Sequence, residues 1–169
     1  MFEIDVDSNV APEAHYKMLN SQLASLLAGE RDLICNAAQF SAFIMQTVVE
    51  LNWSGFYFAR GNELVLGPYI GKVACTRIPF GRGVCGTAAE QKTIQRIDDV
   101  YAFDGHIACD SASASELVIP VILHDRVVGV FDMDSPKVKR FSQFDQDGLA
   151  LLVNTFVAAT DFNWLFSLD

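Results

Sequence analysis

Apolar spacing changes period along this chain, and the order of those changes restricts the fold more than any other feature. Tyr16, Leu19, Leu23, Leu26 and Leu27 recur at helical intervals and stop at Gly29; Leu33, Ala37, Phe40, Ile44, Val48 and Leu51 form a second helical stripe after the short joint Ala28-Gly29-Glu30. The pattern then switches to alternation. Residues 53–59 are rich in aromatics and turn at Arg60-Gly61-Asn62 into 63–66, which reads as a hairpin. A short strand over 76–79, a short helix over 83–91 and a strand over 93–97 follow. A second hairpin pairs 117–123 with 127–133 across His124-Asp125-Arg126. Ser142 with Asp145 three residues on is a capping signature, and the helix it opens buries Leu149, Leu152, Val153, Phe156 and Val157. This order predicts an α+β domain: a central antiparallel sheet with helices packed mainly on one face. It is not the strand–helix alternation of a doubly wound sheet.

The chain has 169 residues, about half of them hydrophobic, so one real core can form without disulfide staples. A net charge of −9 argues against a nucleic-acid groove or an anionic membrane surface, both of which need concentrated Lys and Arg. A small substrate or a protein partner fits better. The longest apolar runs, such as 149–153, are too short to span a bilayer. The first ten residues carry Glu3, Asp5 and Asp7 without a basic cluster, unlike a targeting leader, which makes the cytoplasm the expected location.

Three of the four cysteines carry the candidate chemistry. Cys35 lies beside the second helical stripe and reads as structural. Cys85 sits near the start of the 83–91 helix, where the helix dipole favours a thiolate. Cys75 precedes the 76–79 strand. Cys109 lies in the long, small-residue-rich stretch 98–115, near His106, in surroundings that suit an accessible thiolate. A zinc site built from His106, Cys109, Cys75 and Cys85 is disfavoured, because structural zinc ligands come in close pairs and no CxxC occurs, so no metal is expected. Gly81-Arg-Gly-Val-Cys-Gly86 matches G-x-G-x-x-G, but it lacks the preceding strand and following long helix of a dinucleotide site.

Alternation places Trp53, Gly55 and Tyr57 on one strand face, and likewise Asp132 and Asp134, about 7 Å apart at ~3.3 Å per residue, with Phe131 and Met133 opposite. Charged residues are mostly exposed, so solvent-facing aspartates are the default expectation.

Several segments together resemble the GAF-domain free methionine-(R)-sulfoxide reductases. They are Asn52-Trp-Ser-Gly-Phe-Tyr57, Leu66-Gly-Pro-Tyr69, Gly81-Arg-Gly-Val-Cys-Gly-Thr87, Asp104-Gly-His-Ile-Ala-Cys-Asp110, Ser115-Glu116 and Gly129-Val-Phe-Asp-Met-Asp-Ser135. The resemblance covers all but about the first dozen residues and implies one GAF domain over 1–169 with a short N-terminal extension. It implies that Cys109 attacks the sulfoxide sulfur and that Cys75, or Cys85, resolves the resulting sulfenic acid into a disulfide. It further implies that Trp53, Tyr57, Glu116, Asp132 and Asp134 bind the substrate and deliver its proton. Crowded carboxylates would hold one proton near neutral pH, and the remaining charge would bind the free α-ammonium group. A thioredoxin-like reductant, a homodimer and no cofactor complete the implication. The rival is a GAF module that only senses a small molecule. Its cyclic-nucleotide pattern is incomplete, since Gln146 follows Asp145 and no Asn-Lys pair occurs.

Overall fold

The computed structural model describes residue 4 and residues 11–103 and 112–166. Two helices, α1 (Pro12–Leu26) and α2 (Leu33–Thr47), precede the strands β1 (Trp53–Arg60), β2 (Glu63–Ile70) and β3 (Arg77–Pro79). Helix α3 (Gly83–Gln91), strand β4 (Gln95–Ile97) and one 3-10 turn (Val100–Ala102) lead to β5 (Ser115–Leu123) and β6 (Arg126–Ser135). The chain then forms α4 (Gln143–Ala159) and α5 (Asn163–Phe166). The six strands form one antiparallel sheet in the order β3-β2-β1-β6-β5-β4. No described helix is long and apolar enough to cross a membrane.

Each strand face has its own core because successive side chains point to opposite sides. Phe56, Phe58, Leu117, Ile119, Phe131 and Met133 face the layer of α1, α2 and α4. Phe40 reaches down from that layer onto Phe56 and Phe131, and Phe156 onto Phe56, in tilted or edge-on contacts with ring centroids between 4.6 and 5.5 Å apart. The other face, with Trp53, Tyr57, Val118 and Val130, packs against Val84, Cys85, Ala88 and Ala89 of α3. Among the described residues α1, α2, α4 and the short α5 thus cover one face and α3 covers the other, as the element order implies.

Local chemistry sets the boundaries. Asp32 caps α2 by accepting the Cys35 N–H at 2.8 Å, which stops the helix short of the joint. The capping box at α4 forms as expected, and Asp145 also accepts the Tyr16 hydroxyl at 2.6 Å and pairs with Arg140 at 3.2 Å. Burial opposes the charge on Asp145, but the Tyr16 and Ser142 hydrogen bonds and Arg140 outweigh it and hold the carboxyl below its ordinary range. Helix α1 is thereby tied to the first turn of α4. Strand β2 runs past the expected 63–66 to Ile70. Pro68, which has no N–H, falls where the β1–β2 register shifts between Gly55 and Tyr57, so no ladder bond is lost there.

Two expectations are corrected. Helix α2 ends at Thr47, so Val48 and Leu51 lie past the helix their stripe suggested. Cys35 is exposed rather than packed: its position in the first turn of α2 turns it away from the buried Leu33, Asn36 and Ala37.

At Gly148 α1 and α4 approach too closely to admit a side chain, since a Cβ there would sit 2.1 Å from the Tyr16 ring. In an open helix Gly→Ala gains about 1 kcal/mol. At this site overpacking reverses the sign, and Gly148→Ala should lose about 1–2 kcal/mol in urea denaturation. A gain in stability would show that the helices do not meet there.

Candidate functional site

Three strands bring the carboxyl groups together by register alone. Asp132 on β6 pairs with Gly55 of β1 and Val118 of β5; Asp134 pairs with Trp53 and with Glu116. Alternation then places Trp53, Tyr57, Glu116, Asp132 and Asp134 on the face that α3 covers. The expectation of solvent-facing aspartates is overturned for Asp132, which is 6% exposed, as is Glu116; Asp134 is half-buried.

Helix α3 closes this face with Cys85. Its Sγ–H lies 3.8 Å from Glu116 Oε1, and one donor atom each from Cys85, Glu116 and Asp132 fall within 4.8 Å of one another. Burial is the largest influence on all three groups. It raises Glu116 well above the carboxyl range, and the charges of Asp132 and Asp134 and the hydrogen bond to Asp132 push it the same way. Asp132 is raised by burial to about 7, even though hydrogen bonds from Cys85, Glu116 and the Met133 N–H favour its charged form. Burial and mutual repulsion thus keep a proton on this Glu116–Asp132 pair. Cys85 is raised well above the thiol range by burial, then by the charges of Asp132, Glu116 and Asp134. The expected thiolate at Cys85 is thus corrected: a helix terminus is worth about 1 kcal/mol, which does not offset burial beside three carboxyl groups.

The aromatic wall is built on small residues. The Trp53 ring stacks between Tyr57 and Tyr69, at 5.8 and 5.2 Å, and its Nε1–H donates to the Lys72 carbonyl at 3.1 Å. A Cβ on Gly55 would meet Tyr69 at 2.2 Å and Trp53 at 2.8 Å, and one on Gly71 would meet Trp53 at 2.4 Å. Both positions must be glycine for the stack to form. Tyr57 is held in its neutral phenol form, first by burial and then by Asp132, Cys85, Asp134 and Glu116.

Cys75 is half-buried and packs against the same apolar cluster as Trp53, Tyr57 and Cys85. It is held in a disulfide, whereas Cys35 and Cys85 are free thiols. Cys109 and His106 lie outside the described residues. Among the described residues, Phe103 packs on the cluster, and Ala114 donates to the Ser135 carbonyl and accepts from Val100. Asn52 Nδ2 reaches Ser113 Oγ at 3.2 Å.

Sequence reasoning missed Tyr69, Phe103 and Val118 as parts of this site, and the spacing role of Gly55 and Gly71. The pairing Trp53-x-Gly55-x-Tyr57, a gap between two large rings on one face, was the available signal.

The GAF domain family model matches residues 36–161. The chain is 45% identical over 155 residues to the free methionine-R-sulfoxide reductase of Escherichia coli, covering 90% of this chain and 94% of that protein. The free methionine-R-sulfoxide reductase of Neisseria meningitidis, solved in complex with its substrate, superposes with a TM-score of 0.89 at 34% identity over all of both chains. A putative GAF sensor protein from Burkholderia vietnamiensis gives a TM-score of 0.86 at 46% identity, over 95% of this chain and 100% of that one.

Asp132 makes stability pH-dependent with a definite sign. Its folded value, about 7, lies above its ordinary 3.8, so the folded state binds the proton more tightly. That contribution is complete below the ordinary value and is lost as pH rises through about 7. Between about pH 5 and pH 8 the Tm of the wild type should therefore fall more steeply than that of Asp132→Asn. Parallel Tm curves for the two proteins would contradict a proton held on Asp132.

Proposed function

The chain belongs to the GAF-domain family of free methionine-(R)-sulfoxide reductases, and on that premise we propose how its own residues reduce free L-methionine-(R)-S-oxide to methionine. The thiolate of Cys109 attacks the sulfoxide sulfur while a proton passes to the sulfoxide oxygen. The oxygen leaves on Cys109 as a sulfenic acid, and methionine departs. The Cys75 thiol then attacks the sulfenic sulfur, expels water and closes a disulfide. A dithiol protein of the thioredoxin type takes over that disulfide by exchange and returns both thiols.

The observation that carries this reading is the disulfide at Cys75 beside free thiols at Cys35 and Cys85. Cys109 is the fourth cysteine of the sequence and the proposed partner. The same observation supports Cys75 over Cys85 as the resolving thiol. Cys85 is buried and kept protonated, so it is a poor nucleophile; its part is to donate a hydrogen bond to Glu116.

The carboxyl cluster supplies the acid. A group titrating near 7 is well placed to give up a proton at neutral pH, and Asp132 is that group, beside a Glu116 that burial also keeps protonated. Asp134, half-buried at the strand end, offers charge for the substrate's α-ammonium. Trp53 and Tyr57, extended by Tyr69, form an apolar wall for the methyl-sulfur end. A pure sensor would leave the disulfide at Cys75 without a role. We further propose a homodimer through the helical layer, where Phe144 and Leu151 are exposed.

Cys109→Ser should abolish methionine release. Cys75→Ser should release one methionine per chain and then stop, while Cys85→Ala continues to recycle with a dithiol protein. Burst and steady-state release separate these outcomes, and normal recycling by Cys75→Ser would overturn the assignment. N-acetylmethionine sulfoxide, which lacks the ammonium, should show kcat/KM lower by at least about a hundredfold. Equal rates on both compounds would remove Asp134 and its neighbours from recognition.

A further inference from the structure

We propose that Cys85, Glu116 and Asp132 form a three-ligand site for a soft divalent cation, Zn2+ being the best match, and that its occupation closes the pocket to substrate. The competition, though not the cation site itself, rests on the reading of the pocket given above. One donor atom from each of the three side chains lies within 4.8 Å of the other two, and all three residues are buried. The 3.8 Å from Cys85 Sγ to Glu116 Oε1 is close to the roughly 3.5 Å expected between tetrahedral ligands at about 2.3 Å (Zn–S) and about 2.0 Å (Zn–O). One sulfur with two carboxyl oxygens favours zinc over magnesium or calcium, which prefer all-oxygen shells of six or more ligands.

A second observation points the same way. Asp132 Oδ1 is buried without a hydrogen-bond partner among the described residues, although buried polar atoms are almost always satisfied. A cation bound between the three side chains would supply what that oxygen lacks. The ligands come from α3, β5 and β6, and the β5–β6 register that pairs Glu116 with Asp134 and Val118 with Asp132 fixes the two carboxyl groups relative to each other. The fourth tetrahedral position is left for water or a substrate group. Binding moves no electrons: the Cys85 S–H, and each of Glu116 and Asp132 that holds a proton, lose it to solvent as the metal–sulfur and metal–oxygen bonds form. The sequence pointed away from metal because these ligands are far apart along the chain and include no close pair.

The test uses the full chain with Cys75 in its disulfide and Cys35→Ser, so that Cys85 is the free thiol that remains. Co2+ serves as a spectroscopic stand-in for Zn2+. One Co2+ per chain should produce a near-ultraviolet thiolate-to-cobalt charge-transfer band, which Zn2+ displaces at one equivalent. Cys85→Ala should abolish the band, and Glu116→Gln should weaken Zn2+ binding at least about tenfold, with near-UV circular dichroism confirming that each variant is folded. Where Cys85→Ala does not fold, Glu116→Gln decides the question. No band in the folded protein, a band that survives Cys85→Ala, or unweakened binding by Glu116→Gln would each overturn the cation site. Free methionine-(R)-sulfoxide should displace Co2+ from the same sample, and failure to do so would overturn the competition. The titration involves no turnover, so its failure is distinct from a failure of the reductase reading, which would show as absent methionine release in chelator-treated enzyme.

Discussion

The site depends on two carboxyl groups and a thiol being buried together against the centre of a sheet. Strand alternation decides this. Once Phe131 and Met133 are committed to the helical core, Asp132 and Asp134 must take the opposite face, and β5 delivers Glu116 beside them. Burying three acidic side chains is unfavourable unless they are neutral or paired. The structure resolves this by sharing protons: Glu116 is raised well above its usual range, Asp132 is raised to about 7, and Cys85 stays a thiol. The same arrangement costs stability at high pH, where the buried carboxyl groups must ionise.

The rest of the fold keeps that arrangement rigid. The Phe40–Phe56–Phe131–Phe156 cluster clamps β1 and β6 to the helical layer, and the Tyr16–Asp145–Arg140 connection locks α1 to α4. On the other face, Gly55 and Gly71 allow Trp53 to lie flat between Tyr57 and Tyr69. The aromatic wall and the acid cluster are therefore side-by-side products of one strand pair, since Trp53 pairs with Asp134 and Gly55 with Asp132.

Much of this was legible from periodicity. The helix α3 over Gly83–Gln91, the capping box at Ser142 and the shared face of Trp53 and Tyr57 all follow from local rules that tertiary context did not override. What was not legible came from long-range environment. The dipole argument for Cys85 is a local rule, and it failed because Glu116 and Asp132 arrive from distant strands. Cys35 looked packed because a linear stripe does not fix which way a first-turn residue turns. The burial of Asp132 contradicts the usual exposure of aspartate, and the family resemblance, rather than composition, marked it as a site residue.

The most direct measurement is a carboxyl-detected NMR titration of protein labelled with 13C at the side-chain carboxyls of aspartate and glutamate. An aspartate signal should titrate near pH 7 and disappear in Asp132→Asn, together with a glutamate signal, lost in Glu116→Gln, that titrates well above the ordinary carboxyl range. Aspartate and glutamate signals that all titrate in the ordinary carboxyl range, about 4, would contradict this.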